Sequence, residues 1–366
     1  MVDQPVFTAV STSARQLHTL LRCIAFSQRA EVQITRSGIR FSVEEARVVQ
    51  GLTFLDKALF STFNLNLDED QHSLPPFSIS IVALLETLQI FGIAETSASR
   101  NPYGGFSSSY GNAFTAPALA LGGTCRITYQ HAGAPLTITI QEGSVTTTCE
   151  MNTYDAHDAY EDDGGIPLDR NALCLKAIMR STWLHDAITE LSGTNPTALM
   201  LNASNRSTPY FSLEGEGGPF GDSTVEFMPE SKNDPTPSGT RGKKRPLITE
   251  TFSVVAPSGS HGRIRQRYKF DMLKRAGRAM ALATKVSVRQ DQQGVLSLQF
   301  MIDLGDGANN GARRDDTDAA AAPLSPGSVA FVDFRFVPLL GDEEGSDSDA
   351  DTGEEFDVQE LNNVSP

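Results

Sequence analysis

Seven cations fall between Arg263 and Arg278, and Asp271 is the single acid from Arg263 to Lys285. On helical geometry, Arg267, Lys274 and Arg278 lie within about 40° of one another, with Met272, Leu273 and Ala276 on the other side. Phe270 is an exception near the polar face, and Lys269 and Arg275 add charge close by. A second helical pattern, Ala14–Phe26, places Leu17, Leu20, Leu21 and Ile24 at i, i+3, i+4 and i+7. Its opposite face carries Arg15, His18 and Arg22 within about 60°. Cations aligned on a helix suit contact with phosphates, which is electrostatic, salt-sensitive and blind to base sequence. On the first helix alone an ordinary solvated face is the plainer reading. The second basic stretch, in an acidic chain, shifts the balance toward phosphate contact. It lacks interleaved aromatics, which disfavours a platform for single strands.

No catalytic constellation accompanies these cations. There is no P-loop, HExxH or G-x-S-x-G motif. The six histidines are scattered, and the acidic pairs Asp162-Asp163, Asp303/Asp306 and Asp315-Asp316 fall in expected loops. Two-metal nucleases need carboxylates on rigid elements converging on ions about 4 Å apart, which loop acids fit badly. No catalytic residue, metal ligand or cofactor is therefore expected. Cys23, Cys125, Cys149 and Cys174 form no CxxC pair and read as reduced core thiols of a nuclear or cytosolic protein. Met1–Val10 lacks a signal-peptide pattern, and Ile79–Ile93 holds Glu86 and Gln89, too short and polar to span a bilayer. A soluble intracellular protein with no membrane partner is expected.

The elements that must position the cations come from an apparent duplication. Ser11-Thr12 and Ser181-Thr182 share an offset of 170 residues with Phe41-Ser42-Val43-Glu44 and Phe211-Ser212-Leu213-Glu214. Each Ser/Thr pair is a plausible helix N-cap. Alternating runs predict strands at Val6–Val10, Val32–Thr35, Ile39–Glu44, Val48–Leu55, Thr124–Gln130, Leu136–Ile140 and Val145–Met151 in the first half. The second half has Leu173–Met179, Ala198–Leu201, Tyr210–Glu214, Thr251–Ala256, Thr284–Arg289, Val295–Ile302 and Val329–Val337. Further helices are predicted at Ser80–Phe91, Thr182–Leu191 and about Arg267–Arg278. The reading is two domains, 1–153 and 171–340, joined by an exposed acidic connector at 154–170. Insertions at 97–120, 229–262 and 305–327 read as flexible.

The formal charge of −15 hides an uneven distribution: the tail 341–366 carries ten acids between Asp342 and Glu360 and no Lys or Arg, leaving the body at about −5. Ser346 and Ser348, each with an Asp three residues on, are phosphorylation candidates, beside the plainer reading of a solubilising tail. Arg241, Lys243, Lys244 and Arg245 form a basic cluster that suits nuclear import or a nucleic-acid patch.

On this plan the chain resembles the eukaryotic sliding clamps typified by proliferating cell nuclear antigen, and more closely the Rad-one family of the heterotrimeric nine-one-one checkpoint clamp. The segments that carry the likeness include Gly38–Glu44 with Ala46, Val49-Gln50, Ile90–Gly92, Pro209–Leu213, Arg267–Lys269, Lys285–Val288, Gly294–Ile302 and Phe331–Asp333. Gly294–Ile302 is the most specific of them. The resemblance implies an α+β fold of two tandem sliding-clamp domains, each with antiparallel sheets and two helices on the DNA-facing side. It implies a nuclear platform on duplex DNA, completed by two other clamp subunits (Rad-nine-like and Hus-one-like), opened by a checkpoint clamp loader and visited by repair and signalling clients at the connector face. Channel residues map to Arg15, His18 and Arg22, and to Lys269, Lys274 and Arg278; Arg267 and Arg275, from the basic stretch, join them as expected DNA-facing residues. Subunit edges map to Val145, Thr147, Cys149 and Met151, and to Thr224, Glu226 and Met228. Glu86 and Gln89, and Asp186 and Glu190 beside His185, depart from a fully basic lining. Some members have been described as exonucleases, which these residues do not support. A 3′–5′ exonuclease and a homotrimeric replication clamp are the alternatives.

Overall fold

A computed structural model describes residues 4–11, 13–67, 71–89, 124–142, 144–156, 165–227, 251–256, 262–304 and 329–340. The insertions at 97–120 and 305–327, most of 229–262, residues 157–164 of the connector and the tail lie outside the described residues, as do Met228, the Arg241–Arg245 cluster, Ser346 and Ser348.

The first half runs β1 (Phe7–Ser11), α1 (Ala14–Cys23), β2 (Arg29–Thr35), β3 (Gly38–Glu45), β4 (Val49–Asp56), β5 (Thr62–Leu65), β6 (Phe77–Ser80), α2 (Ile81–Gln89), β7 (Thr124–Tyr129), β8 (Leu136–Glu142) and β9 (Val145–Met151). A two-residue strand, β10 (Tyr154–Asp155), follows. The second half runs β11 (Leu173–Arg180), α3 (Ser181–Ser192), β12 (Ala198–Ser204), β13 (Phe211–Glu216), β14 (Ser223–Phe227), β15 (Thr251–Val254) and β16 (Arg263–Lys269). Then come α4 (Phe270–Leu273), a 3-10 turn at Lys274–Ala276, α5 (Gly277–Leu282), β17 (Lys285–Asp291), β18 (Leu296–Asp303) and β19 (Val329–Phe336). In strands, side chains alternate between faces. Thus β2 buries Ala30, Val32 and Ile34 and turns Glu31, Gln33 and Thr35 outward. The turn from β17 to β18 needs Gly294, whose φ is +86°, and the Asp291 carboxylate accepts from the amides of Gln293 and Val295 to close it.

The two halves share one pairing scheme. In the first, β1 pairs with β5 and β7, β7 with β8, β8 with β9, β2 with β3 and β6, and β3 with β4. Adding ten to every label gives the second: β11 pairs with β15 and β17, β17 with β18, β18 with β19, β12 with β13 and β16, and β13 with β14. All are antiparallel. The halves fuse where β4 pairs with β19, Gly51 opposite Phe334, so that one ten-stranded sheet crosses the chain. A five-stranded sheet then ends on β9 and a four-stranded sheet on β14.

The fusion is reinforced from three sides. Phe26 lies against the Phe334 ring, centroids 6.0 Å apart, above the bare backbone of Gly51. Arg275 bonds Glu45 across the halves at 2.8 Å. The end of the connector is not exposed as expected: Ile166 is buried, its amide donates to Gln50 Oε1 at 3.0 Å, and its carbonyl accepts from Arg335 Nη1 at 2.7 Å. Gln50 and Arg335 are opposite one another on β4 and β19, so the connector is tied to the seam it spans.

Both expected Ser/Thr caps are corrected. Ser13 caps α1, accepting from the amide of Gln16 at 3.3 Å. Ser181 is the first residue of α3 and donates its hydroxyl to the Met280 carbonyl at 2.8 Å, binding α3 to α5. The hydroxyl is fully buried, so a carbonyl partner there outweighs a cap that water can replace.

Candidate nucleic-acid interface

Helices pack α2 on α1, α1 on α5 and α5 on α3, which sets the order α2–α1–α5–α3 across one layer. Leu17, Leu20 and Leu21 hold α1 to its sheets, each fully buried, a gain of about 1.5–3 kcal/mol per side chain. The stripe leaves Arg15 exposed and Arg22 half-buried on the far side. On the neighbouring helical segment Lys274, Arg275 and Arg278 are exposed. The two basic helices therefore sit side by side in the centre of the layer. Both Arg22 and Arg278 act on the Cys23 thiol at the end of α1, lowering its pKa against a larger upward push from burial. The flanking helices show no cations: α2 exposes Val82, Glu86 and Gln89, and α3 exposes Thr182, Asp186, Thr189 and Glu190. The His185 ring lies 3.6 Å from Asp186.

Two placements differ from the sequence reading. His18 is 4% exposed, within 2.7 Å of the Gln89 side chain between α1 and α2, and so leaves the solvent-facing line. The expected helix Arg267–Arg278 starts only at Phe270, because Arg263–Lys269 continues β12 across the sheet. Arg267 consequently stands on a strand, in an ion pair with Glu216 at 3.0 Å. Arg265 donates to Asn202 and Arg263 to Ser207. Phe270, out of place on a continuous helix, is buried in the core, as the strand-to-helix change requires. Lys269 ends β16 exposed, adjoining the helices. Lys274 bonds Asp271 at 2.6 Å, which holds that exposed carboxyl below its usual range.

The edge positions lie where two sheets stop. Val145 is exposed and Thr147 and Cys149 are partly so on β9; Thr224 and Glu226 are exposed on β14. Met151 turns inward and is buried, so its side chain belongs to the core rather than to an edge. Missing from the sequence reading are the short strands β5 and β6 and the cation–π contact of Arg29 over Tyr154, 4.4 Å from the ring centroid. Among the described residues no three His, Cys, Asp or Glu side chains are grouped as metal ligands would be.

A duplicated antiparallel chain with its helices in one layer and basic residues at the layer's centre has the architecture of a sliding clamp. The fold matches proliferating cell nuclear antigen from Thermococcus kodakaraensis with a TM-score of 0.55, at 15% identity, over 91% of this chain and 100% of that one. The chain belongs to the family described as Repair protein Rad1/Rec1/Rad17, whose model matches residues 6–302. Among its relatives is the Schizosaccharomyces pombe protein named DNA damage checkpoint control protein rad1, 28% identical over 91% of this chain and 87% of the relative. A second, from Mycosarcoma maydis, is named DNA repair exonuclease REC1 and is 26% identical over 58% of this chain and 47% of its own length.

Proposed function

We propose that this chain is one subunit of a heterotrimeric ring that encircles duplex DNA and serves the DNA-damage checkpoint as a platform for other proteins. The carrying observation is a pair of edges that are free among the described residues. Within the chain, β4 of one half joins β19 of the other; their counterparts in the duplicated scheme are β14 and β9, which end their sheets. Repeating the same join between chains is a head-to-tail contact, which closes into a ring when the rotation allows. Thr147, Cys149, Thr224 and Glu226 then fall in the contacts. The centre of the helix layer, with Arg15, Arg22, Lys269, Lys274, Arg275 and Arg278, faces the phosphates. Two partner subunits of similar shape, a loader that opens the ring and a nuclear location complete the reading, with Arg241–Arg245 as the import signal.

The test is the light-scattering mass of the purified chain, alone and co-expressed with the two candidate partner subunits. A monomer that becomes a one-to-one-to-one complex supports the reading; a trimer of this chain alone points to a replication clamp, and a monomer in every mixture overturns the ring. The name of the Mycosarcoma maydis relative favours a second reading, a 3′–5′ exonuclease. Metal-dependent degradation of DNA abolished by a single carboxylate substitution is the result that supports it.

A further inference from the structure

The face of the ten-stranded sheet turned away from the helices holds an open basin of about 390 Å³, a volume typical of ligand sites. Its walls include Lys176, Ile178, Lys285, Arg289, Met301 and Phe331. Pairing explains the grouping: Phe331 is opposite Met301, Met301 opposite Lys285, and Arg289 opposite Lys176. Apolar surface from Met301 and Phe331, the latter 49% exposed, thus lies beside Lys285, and Lys176 and Arg289 add cations along the same face. Among the described residues, Nε and Nη2 of Arg289 are buried without a hydrogen-bond partner. Burial, with the charges of Arg170 and Arg335, lowers the pKa of the same guanidinium. Asp333 acts on this guanidinium and also accepts from Ser297 Oγ at 2.8 Å and Arg335 Nε at 3.4 Å, so its charge is shared.

The chain itself contains a complementary segment. Residues 342–361 carry ten acids, with Phe356, Val358 and Leu361 among them. The segment starts from a fixed point, since the amide of Leu339 donates to the Arg267 carbonyl at 2.8 Å and its carbonyl accepts from Gln266. Phe331 lies five residues back along β19 from Phe336, about 17 Å at strand spacing. The 16 residues from Leu340 to Phe356 span up to about 50 Å.

We propose that this acidic segment is the ligand of the basin: Phe356 seats against Ile178, Met301 and Phe331, while Glu354, Glu355 and Asp357 pair with Arg289 and Lys176. A docked tail withholds the basin from other acidic peptides that carry an aromatic residue. Phosphate on Ser346 or Ser348 adds charge to the docked segment without touching its anchor.

The test uses the full-length chain with benzoylphenylalanine in place of Phe331, irradiated and mapped by mass spectrometry. Cross-links within one chain to residues 342–361 are expected. Phe356→Ala lowers their yield about tenfold, as loss of a seated aromatic anchor does. The double variant Arg289→Glu, Lys176→Glu abolishes them, and a thermal midpoint is recorded for each variant. Should that pair unfold the sheet, Phe356→Ala decides, because it changes no residue of the basin. Cross-links to another segment, cross-links between two chains, or a yield indifferent to Phe356→Ala each overturn the proposal.

Discussion

Arg22 on α1 and Arg278 on α5, 256 positions apart in sequence, both act electrostatically on the same thiol, Cys23, at the end of α1. One basic helix from each half meets the other there because β4 and β19 fuse the halves and bring α1 against α5. The cations are concentrated at the seam, while α2 and α3 present neutral and acidic residues. A ring built on this chain would grip DNA at the centre of the subunit.

That concentration has a measurable salt signature. In the assembled ring, Arg15→Glu, Arg22→Glu and Arg278→Glu are expected to weaken binding to duplexes of any sequence. The slope of log K against log salt should fall by about 0.9 for each phosphate that is no longer neutralised. Arg267→Ala is the contrast: its partner is Glu216, so the slope stays unchanged. Fluorescence anisotropy of a labelled duplex across a salt series checks both, and an equal effect of Arg267→Ala contradicts the assignment.

The thiols give an independent reading of the edge. Burial pushes Cys23 and Cys125 up to about 12 and Cys174 to about 11, so all three stay protonated and shielded at neutral pH. Cys149, half-buried on β9, is the accessible one. Iodoacetamide should label one thiol in the free native chain, four in denaturant and none in the assembled ring. The raised values also have a linkage consequence. The unfolded chain releases these protons near the ordinary thiol value of 9.0, below the folded values, so their stabilisation is complete below pH 9 and declines as pH rises toward 12. A urea midpoint that rises between pH 9 and pH 11 would contradict the burial of these groups.

His18 is a structural residue in this fold, joining α1 to α2 through Gln89. His18→Ala is expected to destabilise the chain by about 0.5–1.5 kcal/mol, the net contribution of a hydrogen bond whose other partner, Gln89, is exposed to water. The salt slope of DNA binding should not move. Chemical denaturation paired with the anisotropy series distinguishes this from a phosphate-binding role, which would do the reverse.

Period and composition made the strand order legible: β2, β3, β4, β8 and β9 alternate strongly enough to be placed within a few residues. The duplication was visible through Phe41–Glu44 and Phe211–Glu214, which occupy equivalent strands, β3 and β13. What misled was the run of cations at Arg263–Lys269. Only Arg267 shares a helical face with Lys274 and Arg278; Arg263, Arg265, Arg267 and Lys269 alternate with Ile264, Gln266 and Tyr268, which is the period of a strand, and Phe270, on the wrong face of that helix, was a second local sign. His18 shared a face with two arginines by angle, yet α2 covers that part of the face, and a single-helix projection contains no neighbour. The adjacency of α1 and α5 rests on the β4–β19 pairing across the chain, which no local pattern encodes.

That pairing offers the most direct structural test, at Gly51. A Cβ there would lie 2.8 Å from Cε1 of Phe26 and 3.1 Å from Cγ2 of Ile24, too close for either to remain in place. Ile24 is fully buried, and the Phe26 ring is held against Phe334, so neither side chain yields freely. Gly51→Ala should therefore cost about 1–3 kcal/mol, as overpacking does. The loss should fall on the seam, lowering the urea midpoint and loosening the packing of α1 on α5. Because the tightest approach is to the Phe26 ring, Phe26→Leu in the same chain should recover part of the loss, and the double-mutant cycle should be non-additive. Additive effects of the two substitutions would mean that the ring of Phe26 does not rest on Gly51.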